Sequence, residues 1–372
     1  MRRRSVIVLV ALLSSLLASC RSPTSRGGEV LPLVVMSWNV LSLFDAVDDG
    51  NEYPGYSVAQ GLWNEAKYRA RLESIAAVAS RAGRPAGRGP IGPDILCLVE
   101  IEKKAILDDL VEGPLAKYGY RWSAFARARG SPIGLGILSR IPLKGARAWG
   151  LDLGAGRERP ILEARISWEG SPVAIFLNHW KSKVEGAEST ELSRVQSAAL
   201  LSRAIETERA VEPGLAVVAC GDFNEGPDEY ANVGGRYATA FMPVDADGAP
   251  AGSILVAGRS TLAGVTGGLA VGAKAEAGRF VAYSPWEDVE GYSYVHRGVR
   301  ERIDGFVLSP DLLDGEGIAY LDFRVVKEGL IDGKGVPVPW SNSTATGFSD
   351  HLPLVLELAA TRSEENNRPA LP

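Results

Sequence analysis

The sequence predicts a mixed α/β chain: two β-sheets packed face to face, with helices on their outer faces. Three observations lead there. Short apolar runs rich in Val, Ile and Leu outnumber the helical stretches. The two periods interleave without a strict strand–helix–strand repeat, and no solenoid or propeller period is visible. Several apolar runs stop abruptly on Asn, Asp, Glu or His.

Taken in order, Met1 to Cys20 reads as an export leader, with Arg2, Arg3 and Arg4 ahead of an apolar run from Val6 to Leu17. That run is too short for a mature membrane-spanning helix. Leu17-Ala18-Ser19-Cys20 resembles the bacterial lipobox, whose cysteine is lipidated and becomes the new N-terminus. Residues 1–19 are then a signal peptide, and 20–30 a lipidated Cys20 followed by a polar tether. Such a protein is expected in the cell envelope, held to a membrane by its acyl chains. Residues 31–360 form the folded domain, and the polar tail 361–372 is expected to be disordered.

Within the domain, strands are expected at Leu31–Val40, Ile95–Val99, Tyr120–Phe125, Leu135–Ser139, Ile161–Trp168, Val173–Leu177, Leu215–Cys220, Ile303–Leu308 and Leu352–Leu358, each bounded by Gly, Pro, Ser or a polar residue. Helical spacing marks Trp63–Arg81, stopped by Gly83 and Pro85, and Glu102–Lys117, broken by Gly113-Pro114. The longest helical stretch is Ser189–Glu208, with Leu192, Val195, Ala199, Leu200 and Ile205 as its expected apolar face. Gly234 to Gly278 is rich in Gly and Ala and reads as a long surface excursion.

Composition narrows the chemistry. The 372 residues are 46% hydrophobic and 23% charged, so disorder and a collagen-like repeat are excluded. With 40 basic and 45 acidic residues the net charge is −5, and losing the three leader arginines takes it to −8. A chain that acidic is no bulk electrostatic binder of nucleic acid, so action on a phosphate calls for a bound cation or a local basic patch. Cys20, Cys97 and Cys220 give no disulfide framework, and histidine chemistry is confined to His179, His296 and His351.

Six segments carry polar residues at strand ends, where a rigid scaffold presents side chains to a ligand. They are Ser37-Trp38-Asn39, Leu98-Val99-Glu100, Asn178-His179, Gly221-Asp222-Phe223-Asn224, Arg302-Ile303-Asp304 and Ser349-Asp350-His351. One such residue alone is more often a turn former. Six together, with two of the three histidines, point to a site. Glu, Asp and Asn offer hard oxygen donors suited to Mg²⁺, Mn²⁺ or Ca²⁺, whereas the His and Cys spacing of a zinc site is absent. There is no GxxxxGKS loop, no dinucleotide fingerprint and no GxSxG elbow. Metal-assisted hydrolysis of a phosphate ester fits this set.

In this order, extended by Trp180-Lys181-Ser182-Lys183 and Leu352-Pro353, the motifs resemble those of the endonuclease/exonuclease/phosphatase superfamily. The resemblance runs from about residue 33 to 358. It implies a DNase I-like four-layer sandwich, two mixed sheets flanked by helices, with Mg²⁺-dependent phosphoesterase activity. It also implies roles: Glu100 as principal metal ligand with Asn39 beside it, Asp350 at a second metal position or in the histidine network, Asp222 and Asn224 at the nucleophilic water, His351 on the phosphate oriented by Asp304, and His179 near the leaving group. Asp222 and His351 are both candidates for the base, and one or two ions are compatible.

The expected substrate is a phosphodiester, nucleic acid first and a lipid headgroup of the sphingomyelinase type second. No protein partner is predicted. The Trp-Cys-Asp-Arg segment of inositol polyphosphate phosphatases is missing, as is a convincing match to the active-site tyrosine of AP endonucleases. A non-catalytic surface lipoprotein on the same scaffold is the rival reading; the complete set of motif carboxylates and histidines argues against it. Lys181, Lys183 and Arg194 are candidate phosphate contacts or surface charges. Asp45, Asp48, Asp49 and Glu52 form a solvated or ligand-facing acidic loop, and His296 is read as a loop residue.

Overall fold

The computed structural model describes residues 31–83, 91–150, 159–263 and 279–360. Cys20, the leader and the tail from Thr361 lie outside them. The chain runs through β1 (Leu33–Leu43), α1 (Glu65–Arg81), β2 (Ile95–Ile101), α2 (Lys104–Glu112), β3 (Trp122–Ala126), β4 (Gly134–Ser139), β5 (Gly145–Trp149), β6 (Ile161–Trp168) and β7 (Ser171–His179). It continues through α3 (Glu191–Val211), β8 (Ala216–Asp222), α4 (Glu229–Asn232), β9 (Phe241–Pro243), β10 (Ile254–Val256), α5 (Arg259–Ala263) and β11 (Val281–Ala282). It closes with β12 (Tyr294–His296), β13 (Val299–Glu301), β14 (Asp304–Leu308), β15 (Ile318–Val325) and β16 (Leu354–Ala360).

Two large sheets result: six strands in the order β15-β16-β1-β2-β4-β3, and five in the order β14-β8-β7-β6-β5. Each contains one parallel pair, β1 with β2 and β7 with β8. A parallel pair needs a crossover, and α1 and α3 supply the two. Asn64 caps α1 by accepting from the Lys67 N–H at 3.0 Å. The carboxyl ends of both parallel pairs meet on one side of the molecule, the usual place for a ligand in α/β sheets.

Alternation along the strands divides the apolar residues into three cores. Val35, Cys97, Val99, Ile175, Leu177, Val218 and Cys220 pack between the sheets. Val34, Met36, Trp38, Leu96 and Leu98 face the other way, onto Tyr68, Leu72, Ile75 and Val78 of α1. Phe176, Val217 and Ala219 meet Ala198, Leu201 and Ile205 of α3. A strand buried on both faces reads as an unbroken apolar run, and this is why β1, β2, β7 and β8 are conspicuous in the sequence. The layers are therefore helix, sheet, sheet, helix, and the DNase I-like expectation holds.

Several expectations need correction. The break expected at Gly113-Pro114 is present, with α2 ending at Glu112 ahead of a separate 3₁₀ turn at Ala116–Tyr118, but other elements differ. Of the expected face of α3, Leu200 and Ile205 are buried and Val195 packs partly buried, while Leu192 is 68% exposed and the buried stripe also takes in Arg194, Ala198, Leu201 and Glu208. Because the stripe includes charged residues, a reading that follows apolar residues alone finds only part of it. The Gly234–Gly278 region is not a surface excursion where it is described. Strands β9 and β10 pair with β11 into a small sheet, and Phe241, Met242, Ile254 and Leu255 are buried. Phe241 stacks on Trp180 at 5.2 Å and meets Phe223 edge-on at 5.3 Å. Strands β5, β12, β13 and β15 carry much exposed or half-buried sequence and no strong alternation.

Phe241→Ala should therefore cost about 3–5 kcal/mol, the usual range for emptying a buried aromatic site, read by chemical denaturation. A loss within about 0.5 kcal/mol, typical of a surface position, would restore the excursion reading.

Candidate active site

The site is built where both parallel pairs end. Neither Asn39 nor Glu100 terminates its strand: each sits at an irregularity within it. The β1–β2 register shifts between Asn39 and Leu43, and the β2–β4 register shifts between Val99 and Ile101. Leu41 and Ser42 take φ +54°, and Glu100 takes φ +72°. Positive φ is costly for residues with a Cβ, on the order of 1–3 kcal/mol each. The shifts do what β-bulges do beside functional sites, re-aiming side chains out of the regular alternation. Ser42 then donates to Glu100 Oε2 from both its backbone N–H (2.8 Å) and its hydroxyl (2.9 Å).

Asn39 joins the sheets. Its Nδ2 donates to Glu100 Oε1 at 3.2 Å and to Asp222 Oδ2, on the opposite sheet, at 3.0 Å. Its Oδ1 accepts from the Leu41 N–H at 3.0 Å, which fixes which way the amide faces. The side of Asn39 turned to the carboxylates is thus the N–H, not the carbonyl that a metal would take.

The second sheet contributes His179, at the end of β7, beside its register partner Asp222, at the end of β8. His179 Nε2 lies 3.7 Å from Glu100 Oε1 and 3.7 Å from Asp222 Oδ2. Gly221 permits this pairing. At its φ of +129°, an added Cβ would fall 2.1 Å from the Asn178 carbonyl oxygen. Asn224, itself at φ +53°, donates its N–H to Asp222 Oδ1 at 2.9 Å and its Nδ2 to the Trp180 carbonyl at 3.1 Å.

His351 completes the group. Its Nδ1 pairs with Asp304 Oδ2 at 2.8 Å, and Asp304 is the register partner of Asp222 on β14. Ser349 ties the segment down, donating to the Asn39 carbonyl at 2.7 Å and accepting from the His351 N–H at 3.1 Å. The Trp38 indole donates to the His351 carbonyl at 2.9 Å. Asp350 Oδ1 lies 3.9 Å from His351 Nε2.

Glu100, His179, Asp222, Asn224 and His351 line a cleft of about 630 Å³, together with Tyr53, Arg159, Lys183, Tyr294, His296 and Arg297. Asn39 and Asp304 are buried and do not line it.

Electrostatics separates the roles open to each group. Burial, reinforced by the neighbouring Asp304 charge, pushes Asp222 up to about 7. Burial opposes the charged form of His351, yet the charge and hydrogen bond of Asp304, with Asp222 and Asp350, outweigh it and hold the imidazole well above its ordinary value. His179 goes the other way: burial, then the charges of Arg159 and His351, hold it well below. Asp350 is raised by burial, with Glu100 adding to the effect. A carboxylate-rich cluster with one held-up Asp is under-neutralised, and its donors are hard oxygens. A divalent cation fits both facts. Ligand atoms of Asp222, Asp304 and His351 lie within 4.8 Å of one another.

The remaining candidates fall out differently. Arg194 is fully buried, holding Glu191 at 2.5 Å and Glu225 at 3.0 Å, so it is no phosphate contact. Lys181 pairs with the exposed Glu185 at 3.0 Å. Lys183 lines the cleft while bound to Glu229 at 2.6 Å. The acidic loop is tied down internally: Lys103 meets Asp45 at 2.8 Å and Asp49, Asp48 accepts from the Val58 and Ala59 N–H groups, and Glu52 accepts from the Gly50 N–H. His296 is in strand β12, not in a loop. Arg159, Tyr53, Ser42, Ser293 and Tyr294 join or support the site without any sequence signal beyond their polarity.

The four-layer sandwich with its site at the paired strand ends is the DNase I-like architecture. The chain belongs to the endonuclease/exonuclease/phosphatase family, whose model matches residues 34–240. Enzymes of that family hydrolyse phosphoesters, typically with a divalent metal. Among solved structures, Caenorhabditis elegans TDP2 is similar, with a TM-score of 0.52 and 15% identity over 89% of this chain and 75% of that one. D. rerio TDP2 complexed with single-strand DNA product follows, with a TM-score of 0.50 and 17% identity over 88% and 99%. An endonuclease/exonuclease/phosphatase family protein from Bacteroides thetaiotaomicron gives a TM-score of 0.50 and 16% identity over 91% and 98%. At these identities the likeness is one of fold. No curated protein matches the chain.

Asp304→Asn removes the charge that dominates the upward pull on His351. The His351 imidazole should then titrate at lower pH than in the wild type, followed by NMR of the ring nitrogens. An unchanged or higher midpoint would show that Asp304 does not control it.

Proposed function

We propose that this chain is a Mg²⁺-dependent phosphodiesterase, with nucleic acid as its substrate. One observation carries the reading. Glu100 and Asp222, from different sheets, are fixed on a single Asn39 amide at the head of a cleft that also presents His179 and an Asp304-oriented His351. A structural cluster has no need to leave such groups facing a cavity.

Glu100 and Asp350 would hold the ion, Mg²⁺ first and Mn²⁺ or Ca²⁺ as substitutes. Asn39, beside them, would position Glu100 and Asp222 through its amide N–H groups. The ion would supply charge neutralisation of the phosphate. Asp222, held near neutrality by burial, is poised to take a proton from the attacking water. Asn224 orients it through the backbone bond to Oδ1. His351, kept protonated by Asp304, donates from Nε2 to a phosphate oxygen as negative charge builds. His179 is neutral at pH 7 and so can hydrogen-bond the substrate without adding a second positive charge. Arg159, Lys183 and Arg297 line the same cleft and offset, locally, the acidity of the chain. The lipid-headgroup reading has one observation in its favour: Val184, a lining residue, is 91% exposed and could touch a bilayer.

The purified protein should cleave DNA or RNA with Mg²⁺ and lose that activity in EDTA, on a panel that includes sphingomyelin vesicles. His351→Ala should lower turnover by about 10²- to 10⁴-fold, the range for a proton-handling residue. Glu100→Ala should instead raise the Mg²⁺ concentration needed for half-maximal rate. Wild-type rates in both variants would place the chemistry elsewhere, and cleavage of sphingomyelin alone would establish the lipid reading.

We further propose that the protein is a membrane-anchored lipoprotein of the cell envelope, acylated at Cys20, on the strength of the leader and lipobox. No helix among the described residues is long and apolar enough to cross a membrane. Cys20→Ala should move the protein out of the membrane fraction and change the mass of its N-terminal peptide; identical fractionation and mass would overturn the anchor.

A further inference from the structure

The β12–β13 hairpin is attached to the catalytic histidine and reaches into the cleft. Tyr294 bridges His351 in antiparallel fashion, and the Leu352 N–H donates to the Ser293 carbonyl at 2.7 Å. At the base of the hairpin, the Ser293 N–H donates to the Glu301 carbonyl at 2.9 Å. Its turn is a two-residue one, with Arg297 at φ +49° and Gly298 at φ +84°. Positive φ at both positions is the twist-matched hairpin geometry, so the projection is a defined one.

Along one face of the hairpin the rings form a stair. The Tyr294 ring lies 4.7 Å from the His351 ring at 31°. The next step is His296, whose ring is 6.3 Å from Tyr294 and within 13° of parallel to it. Tyr294 is half-buried and His296 exposed, and both line the cleft with Arg297. Packing explains Tyr294, which covers His351. His296, exposed at the end of β12, lines the cleft as the outer ring beside Tyr294.

We propose that His296, stepping outward from Tyr294, is a stacking subsite for a nucleobase next to the cleaved phosphodiester. The proposal rests on the nuclease reading above and adds which part of the substrate is gripped. Stacking of bases on aromatic rings is indifferent to sequence, and it pairs naturally with cations that follow the phosphates. Arg297, next in the chain, and Arg159, which also donates to the Trp180 carbonyl at 2.6 Å, line the same cleft and are placed for that second task. The strand taken would be single, because a base in a duplex has its faces covered.

The test uses the full chain with Mg²⁺ and a short single-stranded oligonucleotide whose cleaved bond has been mapped. A second oligonucleotide of equal length carries base-free residues on either side of that bond. For the base-bearing strand, His296→Ala should raise KM by about tenfold, the effect of losing one stacking ring, with kcat nearly unchanged, and His296→Phe should restore it. For the base-free strand, the wild type should start from the raised KM, and His296→Ala should add nothing. An equal rise on both strands, or none on either, overturns the subsite while leaving the nuclease reading intact. A wild type that cleaves neither strand overturns that reading and the subsite with it. A KM effect confined to sphingomyelin vesicles assigns the ring to a lipid headgroup and ends the nucleobase proposal.

Discussion

The Asn39 amide is the contact on which the arrangement hangs. It is donated at once to a carboxylate of its own sheet and to one of the facing sheet, and so sets the gap between the sheets at the end where they carry polar residues. Two anionic groups at that separation repel, and each resists burial. What holds them is the rest of the molecule. Three apolar cores keep the strands in register, and the Ser42, Leu41 and Asn224 backbone N–H groups lock the side chains from behind. Backbone strain at Leu41, Ser42, Glu100 and Asn224 is concentrated there, supported by regular structure on every side.

A second carboxylate pair in the same protein shows what the site omits. Glu191 and Glu225 are both buried, and burial raises Glu225 well above the ordinary carboxylate value. Between them, however, lies the Arg194 guanidinium, and their free oxygens accept from the Ala240 and Phe241 N–H groups. The two carboxylates share one guanidinium, their hydrogen bonding is complete, and the cluster fixes β9 to α3. Glu100 and Asp222 receive an amide in place of a guanidinium and face a cavity. One cluster is finished by the chain itself; the other is left with negative charge for something else to answer.

The sequence displays the parts of this design that depend on chain-local chemistry. Strands buried on both faces, such as β2 and β8, appear as apolar runs, and the polar residues that interrupt them stand out because such runs tolerate none without reason. Asn39, Glu100, His179, Asp222, Asn224, Asp304, Asp350 and His351 are visible in that way, and motif order ties them together. Supports that act through backbone atoms leave no such trace. Ser42 and Ser349 look like any other serine, and the value of Gly221 lies in a carbonyl that only the folded sheet brings near. Part of the buried face of α3 is hidden because Arg194 and Glu208 are buried with their partners. The small sheet β9-β10-β11 is hidden because two- and three-residue strands in a Gly- and Ala-rich stretch carry no period.

The position of β16 has a consequence for how the molecule comes into being. This strand lies between β15 and β1, pairing with the latter from Leu33↔Leu358 to Ser37↔Leu354. The Ser349 bond to the Asn39 carbonyl, just ahead of it, spans 310 positions of sequence. During synthesis, then, β1 waits with one edge unpaired until nearly the whole domain has emerged, and His351 arrives with the same segment that closes that edge. Until then the nascent domain holds an open sheet edge and lacks the His351 part of the polar cluster. Closure of that sheet edge and completion of the polar cluster are thus one late event.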